Sequence, residues 1–309
     1  MKKVYTDCFL FICCLFLLIP DSDSIAQPVS FPIFSQSSPR FVSDICYYQG
    51  RDGLTQIELA YSVKLSELTF KIINDQNTAS THCNLTIKDS NNKVVFQQAR
   101  EKAVIAKIQA EIKDESRGIV DLFVFDLPAG EYALKISLAD KHSNSVSSLL
   151  ATFQVPHFNG SFSMSTPLLA LAVSTDLSQK VFIKGNRVVL PNVSREFIGH
   201  KSVFQFYFEA YNLIAPTDST NNFLNASYLI TDFRGDSLLC IPRQVIRKPG
   251  TSCAKIAALD IRGLELGDYA LLVKLEEPGL NQVISRKVSF RITESVAPDL
   301  SLPMSETDI

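Results

Sequence analysis

The sequence predicts an all-β protein built as two tandem sandwich domains, and three observations predict it. The stretch DLPAGEYALKISLADKHSNSVSSLLATFQV, from Asp126 to Val155, recurs as GLELGDYALLVKLEEPGLNQVISRKVSFRI from Gly263 to Ile292, at a constant offset of 137 residues (267 − 130 and 290 − 153). A repeat far longer than a solenoid unit of about 20–50 residues is a duplicated domain. Around both copies run short apolar, β-branched and aromatic segments broken by Asp, Asn, Gly and Pro, as in a β-sandwich. Both copies also carry L-x-x-G-[ED]-Y-A-L, with Tyr132 and Tyr269 two residues after Gly130 and Gly267. The glycine permits a positive φ where the strand begins, and the tyrosine can pack its ring while its hydroxyl reaches back to the chain. That arrangement is the tyrosine corner, so both domains are read as immunoglobulin-like.

In chain order, MKK followed by VYTDCFLFICCLFLLIP is a basic start and an apolar run too short to span a bilayer comfortably. With small residues at Ser24 and Ala26 it reads as a signal peptide over residues 1–26. The alternatives are an uncleaved anchor and acylation at Cys13 or Cys14. Export places the mature chain outside the cytoplasm, in the periplasm, at the cell surface or in the medium. QPVSFPIFSQSSP, within residues 27–39, is rich in Pro and Ser and reads as a flexible leader.

The first sandwich is expected over residues 40–156, with strands FVSDICYY, TQIELAYSV, LTFKII, HCNLTIKD, KVVFQQA, GIVDLFVF, EYALKISL and LATFQV. In TQIELAYSV the residues Ile57, Leu59 and Tyr61 alternate with Glu58, Ala60 and Ser62, the period of a strand with one buried face. DSNNK, from Asp89, should close a hairpin. Residues 101–113 fit two patterns, and the alternation through Ala106, Ile108, Ala110 and Ile112 favours strand over helix. PHFNG, from Pro156, marks the junction.

The second sandwich is expected over residues 157–293. Its clearest strand is SVFQFYFEAYNL, with Phe204, Phe206 and Phe208 on one face and Tyr207 and Tyr211 on the other. NNFLNASYLITDFRGDSLLCI follows, turning at Arg234-Gly235-Asp236. Weaker echoes pair AYSV at Ala60 with AYNL at Ala210, and IKD at Ile87 with ITD at Ile230, at offsets of 150 and 143 (210 − 60; 230 − 87). Residues 294–309 read as a disordered tail or the truncated start of a further domain.

A net charge of −2 and a pI near 6.1, with no basic block, argue against nucleic acid as a partner. Once a signal peptide takes Cys8, Cys13 and Cys14, four cysteines remain. Cys240 with Cys253 and Cys46 with Cys83 are candidate disulfides for an exported chain, and four free thiols are the alternative. His82, His142, His157 and His200 are scattered, there is no HExxH, GxSxG or Gly-rich phosphate motif, and no catalytic, cofactor-binding or metal-ligating residue can be nominated. Trp is absent, which removes an indole platform for sugars. Tyr207 with Tyr211, or Tyr47 with Tyr48, remains a candidate partner-binding face, unless the strand is central and covered on both sides. Asn84, Asn159, Asn192 and Asn225 each begin a glycosylation sequon.

FYFEAYNL, ITDFRGDSL and LGDYALLVKL, together with FVSDICYY and IELAYSV, resemble the β-rich N-terminal region of exported bacterial proteins named for a GWxTD motif, over most of Phe41 to Ile292. The resemblance implies a bacterial envelope or extracellular location and two sandwiches preceding a separate C-terminal domain. Without Trp, the chain has no GWxTD motif, so nothing that domain does carries over. The expectation is a non-catalytic exported binding or scaffolding protein of the cell envelope, without cofactor, whose partner is another envelope or extracellular protein. The alternative is a carbohydrate-binding or accessory module of a glycan-processing system.

Overall fold

A computed structural model describes residues 30–114, 117–158, 160–178, 181–199, 203–216 and 222–294. The expected signal peptide, the first residues of the leader, Asn159, His200 and the tail from residue 295 lie outside the described residues. The fold is all-β: two immunoglobulin-like sandwiches, each with its own core.

The first sandwich starts inside the supposed leader. Ile33–Phe34 (β1) pairs antiparallel with Phe41–Gln49 (β2), and Phe31 and Ile33 are buried in the core. Full burial of such side chains is worth roughly 1.5–3 kcal/mol each, which is reason enough for this segment to dock. Thr55–Lys64 (β3) returns along β2. Lys71–Ile73 (β4) and Gln76–Lys88 (β5) form a tight hairpin through Asn74 and Asp75, whose φ values of 48° and 60° suit a two-residue turn. Val94–Ala106 (β6) pairs along the whole of β5. Gln109–Lys113 (α1) is a single short helix, and Gly118–Leu127 (β7), Gly130–Asp140 (β8) and Val146–Val155 (β9) complete the unit. One sheet runs β1-β2-β3-β7 and the other β6-β5-β8-β9, with β4 beside the start of β5. Residues 101–113 are thus strand only in their first half. Ala106 faces Asn77, next to the beginning of β5, and beyond it the chain has no strand to pair with and coils into α1.

The second sandwich repeats this plan. Ser163–Met164 (β10) and Leu168–Ser174 (β11) together take the place of β2 beside Val203–Tyr211 (β15), the counterpart of β3. Between β11 and β15 come Ile183–Lys184 (β12), Arg187–Pro191 (β13) and Glu196–Ile198 (β14). Phe223–Asp232 (β16), Ser237–Arg247 (β17), Ser252–Asp260 (β18), Gly267–Glu277 (β19) and Gln282–Thr293 (β20) match β5, β6, β7, β8 and β9. β18 pairs with β15 as β7 does with β3, and the other sheet runs β17-β16-β19-β20 with β14 added in parallel at its edge.

The duplication read from sequence is present in three dimensions. Tyr132 stands opposite Phe153 and Tyr269 opposite Phe290. The Tyr132 hydroxyl donates to the Pro128 carbonyl at 3.1 Å and the Tyr269 hydroxyl to the Glu265 carbonyl at 2.7 Å, each four residues back. Gly130 and Gly267 share φ of +157° and +158°, and in both the tyrosine ring lies against the bare Cα. The IKD and ITD echo is also structural, since Ile87 faces Leu134 as Ile230 faces Leu271. The AYSV and AYNL echo is not. Tyr61 points into the first core, whereas Ala210 takes the inward position of the second and Tyr211 points out. A slip of one residue along a strand exchanges its faces.

Candidate functional site

β2 and β3 are buried on both faces, because the sheet they share with β7 is sandwiched between its own core and the second domain. Val42, Ala60, Val120 and Leu122 meet Phe182, Val188, Leu190 and Val193 of the segment around β12 and β13. Cys46 and Tyr48 meet Leu168, Ala170, Val189 and Tyr207. The inserted strands of the second domain therefore form much of its contact with the first.

Two ion pairs cross this seam. Arg195, held at a φ of 56°, donates through Nε and Nη2 to the two carboxylate oxygens of Asp44 at 2.7 and 2.6 Å, and through Nη1 to the Phe31 carbonyl at 3.0 Å. One guanidinium thus ties the second domain to both the N-terminal segment and β2. Burial works against the Arg195 charge, but Asp44 outweighs it and holds the guanidinium above its ordinary value. Burial likewise raises the Asp44 carboxyl despite the pull of Arg195. Lys184 donates to Glu58 at 2.5 Å and lies 3.9 Å from the centre of the Tyr48 ring, a cation–π contact shielded from water. Backbone contacts join in: the Thr166 N–H donates to the Tyr47 carbonyl at 3.0 Å, and the Tyr47 N–H donates to Thr166 Oγ1 at 3.2 Å. The free space among Asp44, Cys46, Glu58 and Lys184 is about 10 Å³, room for no more than one water.

The candidate partner face is spent inside the molecule. Tyr207 and Tyr211 are 4% and 6% exposed, and both hydroxyls donate to Glu209, at 2.5 and 2.9 Å. Burial, then the Glu209 contact, raises the Tyr207 phenol well above its ordinary value, so it stays protonated. The strand is covered on both sides, by its own core and by the first domain. Tyr47 and Tyr48 likewise point to opposite faces, toward the first core and toward the seam, and make no common surface.

The candidate disulfides are corrected in the same way: Cys46, Cys83, Cys240 and Cys253 are all free thiols. Cys83 points into the first core and Cys46 away from it into the seam. Cys240 is exposed on β17, while Cys253 lies in the second core. In neither pair do the side chains share a face. Two sequons are buried: Asn192 donates to the Glu196 carbonyl at 2.7 Å and Asn225 to Glu276 at 3.3 Å. Asn84 is half-buried in the middle of β5. Nδ1 of His82 lies 3.2 Å from Glu101 and Nδ1 of His142 lies 3.1 Å from the Thr69 carbonyl. Among the described residues no group of three or more His, Cys, Asp or Glu is placed to hold a metal.

Sequence reasoning missed Asp44, Glu58, Lys184 and Arg195. A signal was available: the carboxylate in FVSDICYY is the one charge in a strand otherwise made of apolar and aromatic residues and one serine, and such a charge needs a buried partner.

No family model matches the chain, and no curated protein matches it. Among solved structures, the chain is similar to red sea bream transglutaminase at 9% identity, covering 82% of this chain and 31% of that one with a TM-score of 0.23. It is similar to fibronectin(III)-like modules of CbhA from Clostridium thermocellum at 9% identity, covering 77% and 85% with a TM-score of 0.19. A β-glucuronidase from Bacteroides uniformis gives 10% identity, 78% and 26% coverage and a TM-score of 0.25. The chain spans less than a third of the transglutaminase and of the glucuronidase.

Proposed function

We propose that the chain is a non-catalytic, exported binding or scaffolding protein of the cell envelope, acting through its paired sandwiches on another envelope or extracellular protein. The observation that carries this reading is the seam. Two ion pairs, a cation–π contact and apolar packing hold two domains face to face. A frame fixed in this way keeps the opposite sheets, their edge strands and their hairpin tips at set distances, which lowers the ordering cost of binding a partner. Among the described residues β6 and β17 are each hydrogen-bonded to one neighbouring strand and stand at a sheet edge, a template for strand addition.

The test is affinity capture of the full chain, tagged at its C-terminus, from the extracytoplasmic fraction of its own cells. The expected result is one partner recovered reproducibly at a fixed stoichiometry. Recovery of the chain in the cytoplasm, or capture with no reproducible partner, overturns the reading.

A further inference from the structure

The turn that joins β5 to β6 and the one that joins β16 to β17 are the same turn built twice. In the first, the Asp89 side chain accepts from the backbone N–H groups of Asn91 and Lys93 at 2.9 and 3.0 Å. The Asp89 N–H donates to the Lys93 carbonyl and the Asn92 N–H to the Asp89 carbonyl, both at 3.0 Å. In the second, Asp232 accepts from the N–H groups of Arg234 and Asp236 at 2.8 and 2.9 Å. The Asp232 N–H donates to the Asp236 carbonyl at 3.0 Å, and the Gly235 N–H to the Asp232 carbonyl at 3.1 Å. Asn92 and Gly235 occupy the same left-handed position, at φ of 61° and 91°.

All four bonds use the first aspartate or the backbone, so the turn specifies only that aspartate and a residue tolerant of positive φ. Ser90, Asn91 and Lys93 meet the remaining positions in one domain; Phe233, Arg234 and Asp236 meet them in the other. The turn's own hydrogen bonds call for none of the latter three side chains. Phe233 is 77% exposed, where a turn would ordinarily carry a small polar residue. Arg234 lies over its ring, with 5.2 Å from the guanidinium carbon to the ring centre. Among the described residues, neither the Arg234 guanidinium nor the Asp236 carboxylate has a hydrogen bond or ion pair, and both are exposed. An unpartnered carboxylate is a hard oxygen ligand for a divalent cation, and an unpartnered guanidinium matches a carboxylate bidentately. Glycine between them lets a receptor approach the backbone without meeting a side chain.

We propose that the tip Phe233-Arg234-Gly235-Asp236 is a docking element for a receptor protein whose pocket holds a divalent cation beside a carboxylate. Asp236 completes the cation's coordination, Arg234 pairs with the carboxylate and Phe233 packs at the rim. The proposal rests on the reading of the chain as an extracytoplasmic binding protein and names one class of partner for it.

The first domain supplies the control. In the full chain, Phe233→Ser, Arg234→Asn, Gly235→Asn and Asp236→Lys together rebuild the tip as the turn of the first sandwich, and the thermal midpoint checks that folding survives. The probe is a purified integrin ectodomain, a receptor with a cation-bearing ligand pocket, immobilised in Mn²⁺ or in EDTA. The expected result is saturable binding of the parent chain in Mn²⁺, lost in EDTA and weakened at least about tenfold both by the rebuilt tip and by Asp236→Glu alone. Moving the tip, by Ser90→Phe, Asn91→Arg, Asn92→Gly and Lys93→Asp in the rebuilt chain, restores binding. Absence of cation-dependent binding by the parent, or binding indifferent to the rebuilt tip, overturns the proposal. In either case capture of a partner from envelope material by the rebuilt chain leaves the broader binding role standing, and loss of all capture by the parent removes both.

Discussion

The two sandwiches agree wherever the backbone has one solution and part wherever side chains have several. The tyrosine corner, the aspartate turn and the hairpin register are shared, because each depends on particular backbone angles and hydrogen bonds. At the end of β8 and of β19 stands a buried acid in both, but its surroundings differ. Asp140 is satisfied by its own loop and by the Thr69 N–H, at 2.8 to 2.9 Å from Thr69, His142 and Ser143. Glu277 instead pairs with Lys248 at 2.9 Å, both side chains fully buried, and its second oxygen has no hydrogen-bond partner among the described residues. The larger divergence lies between the first two strands. Residues 50–54 suffice in the first domain, while the second inserts β12, β13 and β14 and with them the seam.

The seam gives the largest expected effect. Arg195→Met leaves Asp44 buried without its counter-charge, with only the Ile45 N–H still donating to it, and frees the Phe31 carbonyl; removal of one member of a buried pair costs about 3–5 kcal/mol. Denaturant unfolding should show that loss, and the single transition of a coupled pair should split into two. Arg195→Met with Asp44→Leu should recover much of the stability, since an apolar replacement of both partners avoids stranding a charge. A double variant no better than the single one would show that the Phe31 contact, and not the ion pair, carries the coupling.

Next come the two buried acids. Lys248→Met strands the Glu277 carboxylate and should cost about 3–5 kcal/mol, whereas Asp140→Asn, which keeps one acceptor among donors, should cost about 1–2 kcal/mol. Burial pushes the Asp140 carboxyl up, but the hydrogen bonds from Thr69, His142 and Ser143 outweigh it and hold it below its ordinary value. A folded value below the unfolded one means that the contribution is complete above the ordinary carboxylate range and is lost as pH falls through the folded value. Acid loss of the Asp140 contribution should thus begin below roughly pH 4 and be absent in Asp140→Asn, as read by unfolding midpoints taken from pH 6 downward.

The tyrosine corners should respond alike. Tyr132→Phe and Tyr269→Phe each remove one hydroxyl bond to a carbonyl four residues back while leaving the ring in place, and each should cost about 1 kcal/mol. Unequal losses would mean that the two corners, built on the same plan, differ in how their domains lean on them.

Much of this was legible in the sequence because it is local. An inward and outward alternation and a glycine before a tyrosine are read within ten residues, and a gapless repeat needs only the chain laid against itself; together they point to the fold class and the paired hairpins. The slip between AYSV and AYNL was not legible, since a shared tetrapeptide carries no facing. The leader deceived for a related reason: its Pro and Ser suggest mobility, and only the presence of a core to receive Phe31 and Ile33 reverses that. The seam was furthest from view. Arg195 and Asp44 are 151 residues apart, and nothing near either names the other. Tyr207 and Tyr211 were placed on the right face of their strand, but what covers that face is set by the insertion.

The smallest expected effect concerns the thiols, where the domains differ by one exposed residue. Burial raises the Cys83 thiol to about 12 and the Cys253 thiol to about 11, and burial beside Asp44 raises Cys46 further. At neutral pH these three are protonated and shielded, and only a thiolate reacts rapidly. Cys240 is open to solvent on β17. Among these four, a maleimide should label Cys240 alone in the native protein and all of them after unfolding. Cys240→Ser should abolish native labelling and shift stability by less than about 0.5 kcal/mol, as for an ordinary surface change. Native labelling of Cys46 would place the weakness at the seam, because that thiol becomes accessible only when the two domains separate.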